Sequence, residues 1–178
     1  DVPGGPALIE VTQNGRRVPA VAQITKMGLL FILDRETGKP VFGVEERPVP
    51  KSDVPGEEAW PTQPFPLKPP PLARTTITRS ELSTRTPDSE RFCKELFDRL
   101  QIGSVFTPYG SKTTLVFPGA MGGGNWGGVS FNPELGYVFV NTTNMGGIGH
   151  LVEAAKDSPM PYRNESGYAR FLDNEHYP

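Results

Sequence analysis

The sequence predicts an all-β fold of short antiparallel strands with one helical insertion, arranged as a sandwich or as propeller blades. Three observations carry this prediction. Two hairpin patterns fall within residues 7–43, strand-like runs return between 104 and 143, and the stretch 86–102 spaces its apolar residues at helical period.

The first hairpin joins the apolar run Ala7–Val11 to Val18–Ile24 across Gln13-Asn14-Gly15-Arg16. Asn-Gly suits a type I′ turn, which needs positive φ at both central residues. The second pattern runs from Leu29–Leu33 through Asp34-Arg35-Glu36-Thr37-Gly38 to Pro40-Val41-Phe42. Gly38 can take the left-handed position, and Asp34 or Thr37 can bond nearby backbone amides. Residues 44–78 change character, because ten of the chain's 20 prolines fall between Pro40 and Pro71. Proline lacks the N–H that a ladder needs, so this stretch is expected to be an extended excursion rather than central strand or helix. Its Lys68-Pro69-Pro70-Pro71 run would suit a proline-recognition partner, but reads more simply as a stiffened loop.

Thr86 is placed to cap a helix that has Pro87 at its first position and Asp88 and Glu90 near its positive end. Phe92, Leu96, Phe97 and Leu100 give it one apolar face, and Gly103 ends it. Strands are then expected at Ser104–Thr107, Thr114–Phe117, Val129–Phe131 and Tyr137–Val140, with Asn132–Gly136 turning between the last two. Residues 144–178, rich in Gly, Asn and Pro, suggest an irregular tail. The 178 residues thus read as one domain, with strands at about 7–43 and 104–143 and a proline-rich and helical insertion at about 44–103.

Several functions are excluded by composition. Net charge is −2 with no basic stripe, so nucleic acid is not an expected partner. No apolar run reaches the length of a membrane-spanning helix. Cys93 is the single cysteine, which rules out an internal disulfide, and beside Phe92 and Phe97 it reads as a small buried hydrophobe. Two histidines, His150 and His176, do not supply a multi-histidine metal site, and no metal ligand is assigned. The glycine cluster lacks the Gly-Lys-Ser/Thr of a phosphate loop, and no Gly-x-Ser-x-Gly elbow occurs. The chain opens on Asp1 without a visible signal peptide, as a mature product or an excised piece would.

Two features remain. In Gly122-Gly123-Gly124-Asn125-Trp126-Gly127-Gly128, the glycines allow close backbone approach to something flat. Trp126 offers a stacking face there, and Asn125 offers donors and an acceptor. The simpler alternative is a tight bend around a core tryptophan. The second feature is Lys26, at the turn between two apolar strands, where it either meets an oxygen-rich ligand or is an ordinary solvated lysine.

The run Ala22-Gln23-Ile24-Thr25-Lys26-Met27-Gly28 through Asp34-Arg35-Glu36-Thr37-Gly38 resembles the quinoprotein dehydrogenases that use pyrroloquinoline quinone (PQQ). So does the stretch from Gly119 through Trp126-Gly127-Gly128 to Asn132-Pro133. Val44–Pro50 and Pro61–Phe65 look like the membrane-bound glucose dehydrogenase branch. The resemblance implies antiparallel blades of an eight-bladed β-propeller; this chain is too short for eight blades of about 40–50 residues and would supply two or three. It also implies cofactor contacts at Lys26, Asn125, Trp126 and Asn141, with Lys26 matching the basic residue that faces the quinone oxygens. The catalytic aspartate of the family's Trp-Asp-x-Asp motif would precede Asp1, which matches the second aspartate, so no catalytic residue is assigned within the chain.

The implied function is a fragment of a PQQ-dependent, glucose dehydrogenase-like enzyme that oxidises a sugar or alcohol and passes electrons to a quinone or cytochrome. The resemblance implies PQQ and Ca2+ in the intact enzyme; these residues alone would be inactive, and whether they hold PQQ by themselves is left open. The parent would be periplasmic or periplasm-facing, and open blade edges would favour self-association. The alternative is a non-catalytic propeller that serves as a binding or scaffold module.

Overall fold

The computed structural model describes residues 1–168 and divides the chain into two compact units, each assembled from separated stretches. No helix among the described residues is long and apolar enough to cross a membrane.

The first unit comprises Asp1–Pro48, Thr62–Arg74 and Met121–Asn144. Its main sheet runs β1 (Ala7–Gln13), β2 (Arg16–Ile24) and β3 (Leu30–Asp34), all antiparallel. Asn14 and Gly15 take φ of 51° and 76°, the two positive angles that the Asn-Gly turn requires, and set Gln13 opposite Arg16. The predicted second hairpin is reduced. β3 pairs with β2, and the segment after the turn contributes one bridge, Leu33 to Pro40, because proline cannot continue a ladder. Asp34 closes that turn by accepting from the backbone N–H of Thr37 and Glu36, which holds its carboxyl below the usual range.

Two ribbons complete this unit. β4 (Val44–Pro48) pairs with β5 (Thr62–Pro66), so part of the proline-rich excursion is a two-stranded ribbon, where missing proline donors can face outward. β8 (Val129–Asn132) pairs with β9 (Tyr137–Val140). Val129, Phe131, Val138 and Val140 from this ribbon pack against Ile9, Ala20 and Ile24 of the main sheet.

The second unit comprises Val49–Pro61, Thr75–Ala120 and the segment from Met145 onward. Helix α1 (Pro87–Arg99) begins as expected: Thr86 Oγ1 accepts from the Ser89 N–H at 3.1 Å, and Pro87 occupies the first turn. Cys93 is buried in a core with Ile77, Leu82, Leu115 and Phe117. The sheet order is β11 (Tyr162–Tyr168), β10 (Gly147–Glu153), β7 (Thr114–Val116) and β6 (Gln101–Ile102), antiparallel except for the parallel β6–β7 pair.

Two expectations are corrected here. Ser104–Thr107 forms a turn, not a strand: Phe106 has φ of 67° and the Thr107 N–H reaches the Ser104 carbonyl at 3.0 Å. The tail expected to be irregular holds β10 and β11. Their signal is hidden because the inward positions Gly147 and Gly149 of β10 are glycine, where any Cβ would fall within 2.5–2.9 Å of the Tyr109 side chain. β11 is a polar edge strand without an apolar rhythm. Burial raises the Tyr109 phenol above its ordinary range.

Candidate cofactor-binding site

The candidate site is built on the first unit, where the β2–β3 turn meets the glycine loop. The turn is closed by Gly28 N–H to the Thr25 carbonyl at 3.0 Å and by Thr25 N–H to the Leu29 carbonyl at 3.0 Å. Gly28, at φ 72°, makes the reversal without strain. Lys26 lies at the tip of this turn. Its N–H donates to the Asp1 carbonyl at 2.9 Å, and its ammonium forms an ion pair with Asp1 Oδ2 at 3.2 Å. The Lys26 side chain is 31% exposed, intermediate between a core stem and a free surface lysine.

The glycine loop lies against this turn. Gly123 N–H donates to the Lys26 carbonyl at 2.7 Å, and Thr143 N–H donates to the Gly123 carbonyl at 2.9 Å. The glycines are required by contact. A Cβ on Gly122 would stand 2.5 Å from Lys26 Cγ, one on Gly123 2.4 Å from the Ala73 Cβ, and one on Gly124 2.3 Å from Ile24 Cγ1. The loop is therefore pressed onto the turn that carries Lys26.

The four residues expected at the site separate into distinct roles. Lys26 runs its stem along Gly122 and carries a partly exposed cation paired with Asp1. Trp126 is 84% exposed, which overturns the alternative of a core tryptophan. Asn141 is exposed and lies beside the same loop, with its Nδ2 3.7 Å from where a Gly127 Cβ would be. Asn125 turns inward on its own loop: its Nδ2 donates to the Met121 carbonyl at 2.7 Å and its Oδ1 accepts the Trp126 N–H at 2.9 Å. Its amide thus fixes the bend that presents Trp126. The sequence resemblance matches Asp1 to the second aspartate of a family motif but assigns it no contact; the structure makes it the ion-pair partner of Lys26, a pairing no local pattern links across so many residues.

Elsewhere, His150 on β10 stands 3.5 Å from Glu165 of β11, and His176 lies outside the described residues. No cluster of three His, Cys, Asp or Glu side chains able to hold a metal ion occurs among the described residues. The donor chemistry at the loop fits a flat, oxygen-rich acceptor such as PQQ. The loop region carries one partly exposed cation, one exposed amide able to bond oxygen and an exposed indole face, while the glycines serve to let the loop pack onto the Lys26 turn.

Residues 1–176 match the family described as PQQ: glucose/ethanol/alcohol dehydrogenase, beta-propeller domain. Among curated proteins, the chain is 36% identical over 147 residues to the quinate/shikimate dehydrogenase (quinone) of Acinetobacter baylyi, covering 82% of this chain and 18% of that protein. It is 35% identical over 172 residues to the quinoprotein glucose dehydrogenase of Gluconobacter oxydans, covering 94% and 21%. It is 38% identical over 130 residues to the glycerol dehydrogenase large subunit of Gluconobacter thailandicus, covering 72% and 18%. The chain thus spans about a fifth of the length of these relatives. No solved structure gives a significant match.

Proposed function

The chain belongs to the glucose/ethanol/alcohol dehydrogenase β-propeller family, and from that premise we propose that it forms one wall of the PQQ pocket in a dehydrogenase acting on a sugar or alcohol. The observation that carries this reading is Lys26: a partly exposed ammonium on a stem that lies along the glycine loop, where a side chain on Gly122 would strike its Cγ. The named relatives act on glucose, quinate or shikimate, and glycerol, which supports a polyhydroxylated substrate.

When bound, PQQ supplies a two-electron acceptor for hydride leaving the substrate carbon. The chain's own part is electrostatic and positional. Lys26 would hold a positive charge toward the oxygens of a bound quinone, and a fixed cation stabilises negative charge most in a site partly shielded from water. Trp126 offers a flat apolar surface, Asn141 an amide, and Asn125 holds the loop in shape. No residue of this chain is assigned the hydroxyl proton or a calcium ligand. A calcium ion in the intact enzyme, a quinone or cytochrome as acceptor, and a periplasmic or periplasm-facing location complete the proposal; the quinone in the name of the Acinetobacter baylyi relative supports a quinone acceptor.

The test is a dye-linked dehydrogenase assay on the intact protein over a panel of sugars and alcohols, with and without PQQ and calcium. A Lys26→Ala variant is run beside it. PQQ-dependent turnover that drops at least tenfold in the variant is expected, since an electrostatic donor of this kind is worth about 2–4 kcal/mol. A folded protein with no PQQ-dependent turnover would instead favour a non-catalytic propeller module.

A further inference from the structure

We propose that Asp1 is a positioning residue that fixes the Lys26 ammonium at the end of a stem that runs along the glycine loop. The proposal rests on the reading of Lys26 as a cofactor contact, but the geometry behind it is independent of any bound group.

A lysine carries its charge on a flexible four-carbon stem and would ordinarily spread it over many rotamers. Here both ends are constrained. The backbone at Lys26 is tied to Asp1 by the N–H bond to its carbonyl at 2.9 Å, and the charged head by the carboxylate at 3.2 Å. Between them the stem is walled by Gly122, whose missing Cβ would stand 2.5 Å from Cγ. The backbone bond therefore holds Asp1 where its side chain reaches Nζ. An ammonium has three N–H donors, so pairing with one carboxylate oxygen leaves donors for an oxygen ligand. The Asp1 side chain is 60% exposed and carries no core, so its removal acts on Lys26 rather than on folding.

The arrangement has opposed consequences. Asp1 aims the cation, but it also adds a negative charge near an anionic ligand. Removing that charge therefore lowers turnover while changing PQQ affinity little.

The experiment uses the intact protein with Asp1→Asn, Asp1→Glu, Lys26→Ala and the Asp1→Asn/Lys26→Ala double variant, each checked for unchanged thermal unfolding. Trace acetic anhydride labels lysine amines in competition, and mass spectrometry reads Lys26 against exposed Lys156 without cofactor. Loss of an exposed ion pair should raise relative Lys26 labelling roughly two- to fivefold in Asp1→Asn. Asp1→Glu, which keeps the charge, should restore it at least in part. With saturating PQQ, kcat should fall by a similar factor in Asp1→Asn with substrate KM unchanged, and the same change should have no effect in the Lys26→Ala background. Equal labelling in Asp1→Asn, or an undiminished kcat effect without Lys26, would overturn the proposal. A separate arm adds PQQ to the unaltered protein. Failure of PQQ to protect Lys26 from labelling would refute the cofactor reading, while the labelling shift in Asp1→Asn would still establish the positioning.

Discussion

Gly123 offers the sharpest test of the site's construction. A Cβ there would stand 2.4 Å from the Ala73 Cβ and 3.0 Å and 3.2 Å from the Cα and N of Gly28, against a comfortable carbon separation of about 3.5–4.0 Å. The neighbours cannot turn aside, because Ala73 has no rotamer and Gly28 is backbone. The loop cannot lift away freely either: Gly123 is bonded to the Lys26 carbonyl on one side and to the Thr143 N–H on the other. Gly123 does not lie in the left-handed region, so the cost of Gly123→Ala is one of packing rather than of φ. Overpacking costs about 1–3 kcal/mol, and with no compliant neighbour the upper end is expected. For a chain of this size, about 3 kcal/mol lowers Tm by roughly 6–12 °C in thermal unfolding followed by circular dichroism. Gly5→Ala, where nothing lies within 4 Å of the added methyl, should be neutral or slightly stabilising. Ala73→Gly in the Gly123→Ala background should recover at least about 1 kcal/mol through coupling of the two sites. A Gly123→Ala protein whose Tm stays within 2 °C of the parent would refute the packing argument.

Trp126→Ala should leave stability within about 0.5 kcal/mol, as expected of a surface change, while weakening PQQ binding roughly 2- to 10-fold in a direct titration. Unchanged affinity would remove the indole from the cofactor contacts. In the second unit, Asp53 accepts from Ser111 Oγ at 2.8 Å and from its N–H at 3.0 Å, and these donors, the hydroxyl foremost, hold its carboxyl below the ordinary range. The stability this provides is complete above about pH 4 and lost as pH falls through the lowered folded value, so Ser111→Ala should flatten the acid limb of a Tm–pH profile. An unchanged limb would count against the clamp. Among the described residues the β9 strand pairs only with β8, and it shows Tyr137 and Phe139 more than half exposed, so self-association through this edge is expected; a single monomeric species by light scattering at high concentration would contradict it.

What could be foreseen from the residues was what local chemistry decides. The Asn14-Gly15 turn, the capped start of α1 and the β8–β9 ribbon all follow from patterns a few residues long. The glycine loop was recognisable as a place of close approach, but the surfaces it approaches are remote in the chain: Ala73, Ile24 and Lys26. The role of Asn125 was equally hidden, because whether an amide faces a ligand or its own loop depends on the bend it sits in. β10 escaped notice because its tight contacts are made by absent side chains, and apolar rhythm cannot register a glycine that makes room for Tyr109. The reversal at Phe106 had no signal at all, since a bulky residue at positive φ runs against local preference and is set by its surroundings.

The interleaving of the two units sets a timetable for the nascent chain. The main sheet is complete once Asp34 has been made, yet the residues that cover it include Val129, Phe131, Val138 and Val140. At about 5–20 residues per second, translation leaves an interval of roughly 5–20 s between them. During that time the three-stranded sheet lacks the part of its cover that this ribbon supplies, and that long-range closure cannot begin until its partner exists. Holding the early strands apart from other unfinished chains therefore matters most in that interval, and a chaperone that grips apolar strands would find its natural client there. The same stitching means that one proteolytic nick cannot release either unit whole, because each is drawn from three separate stretches.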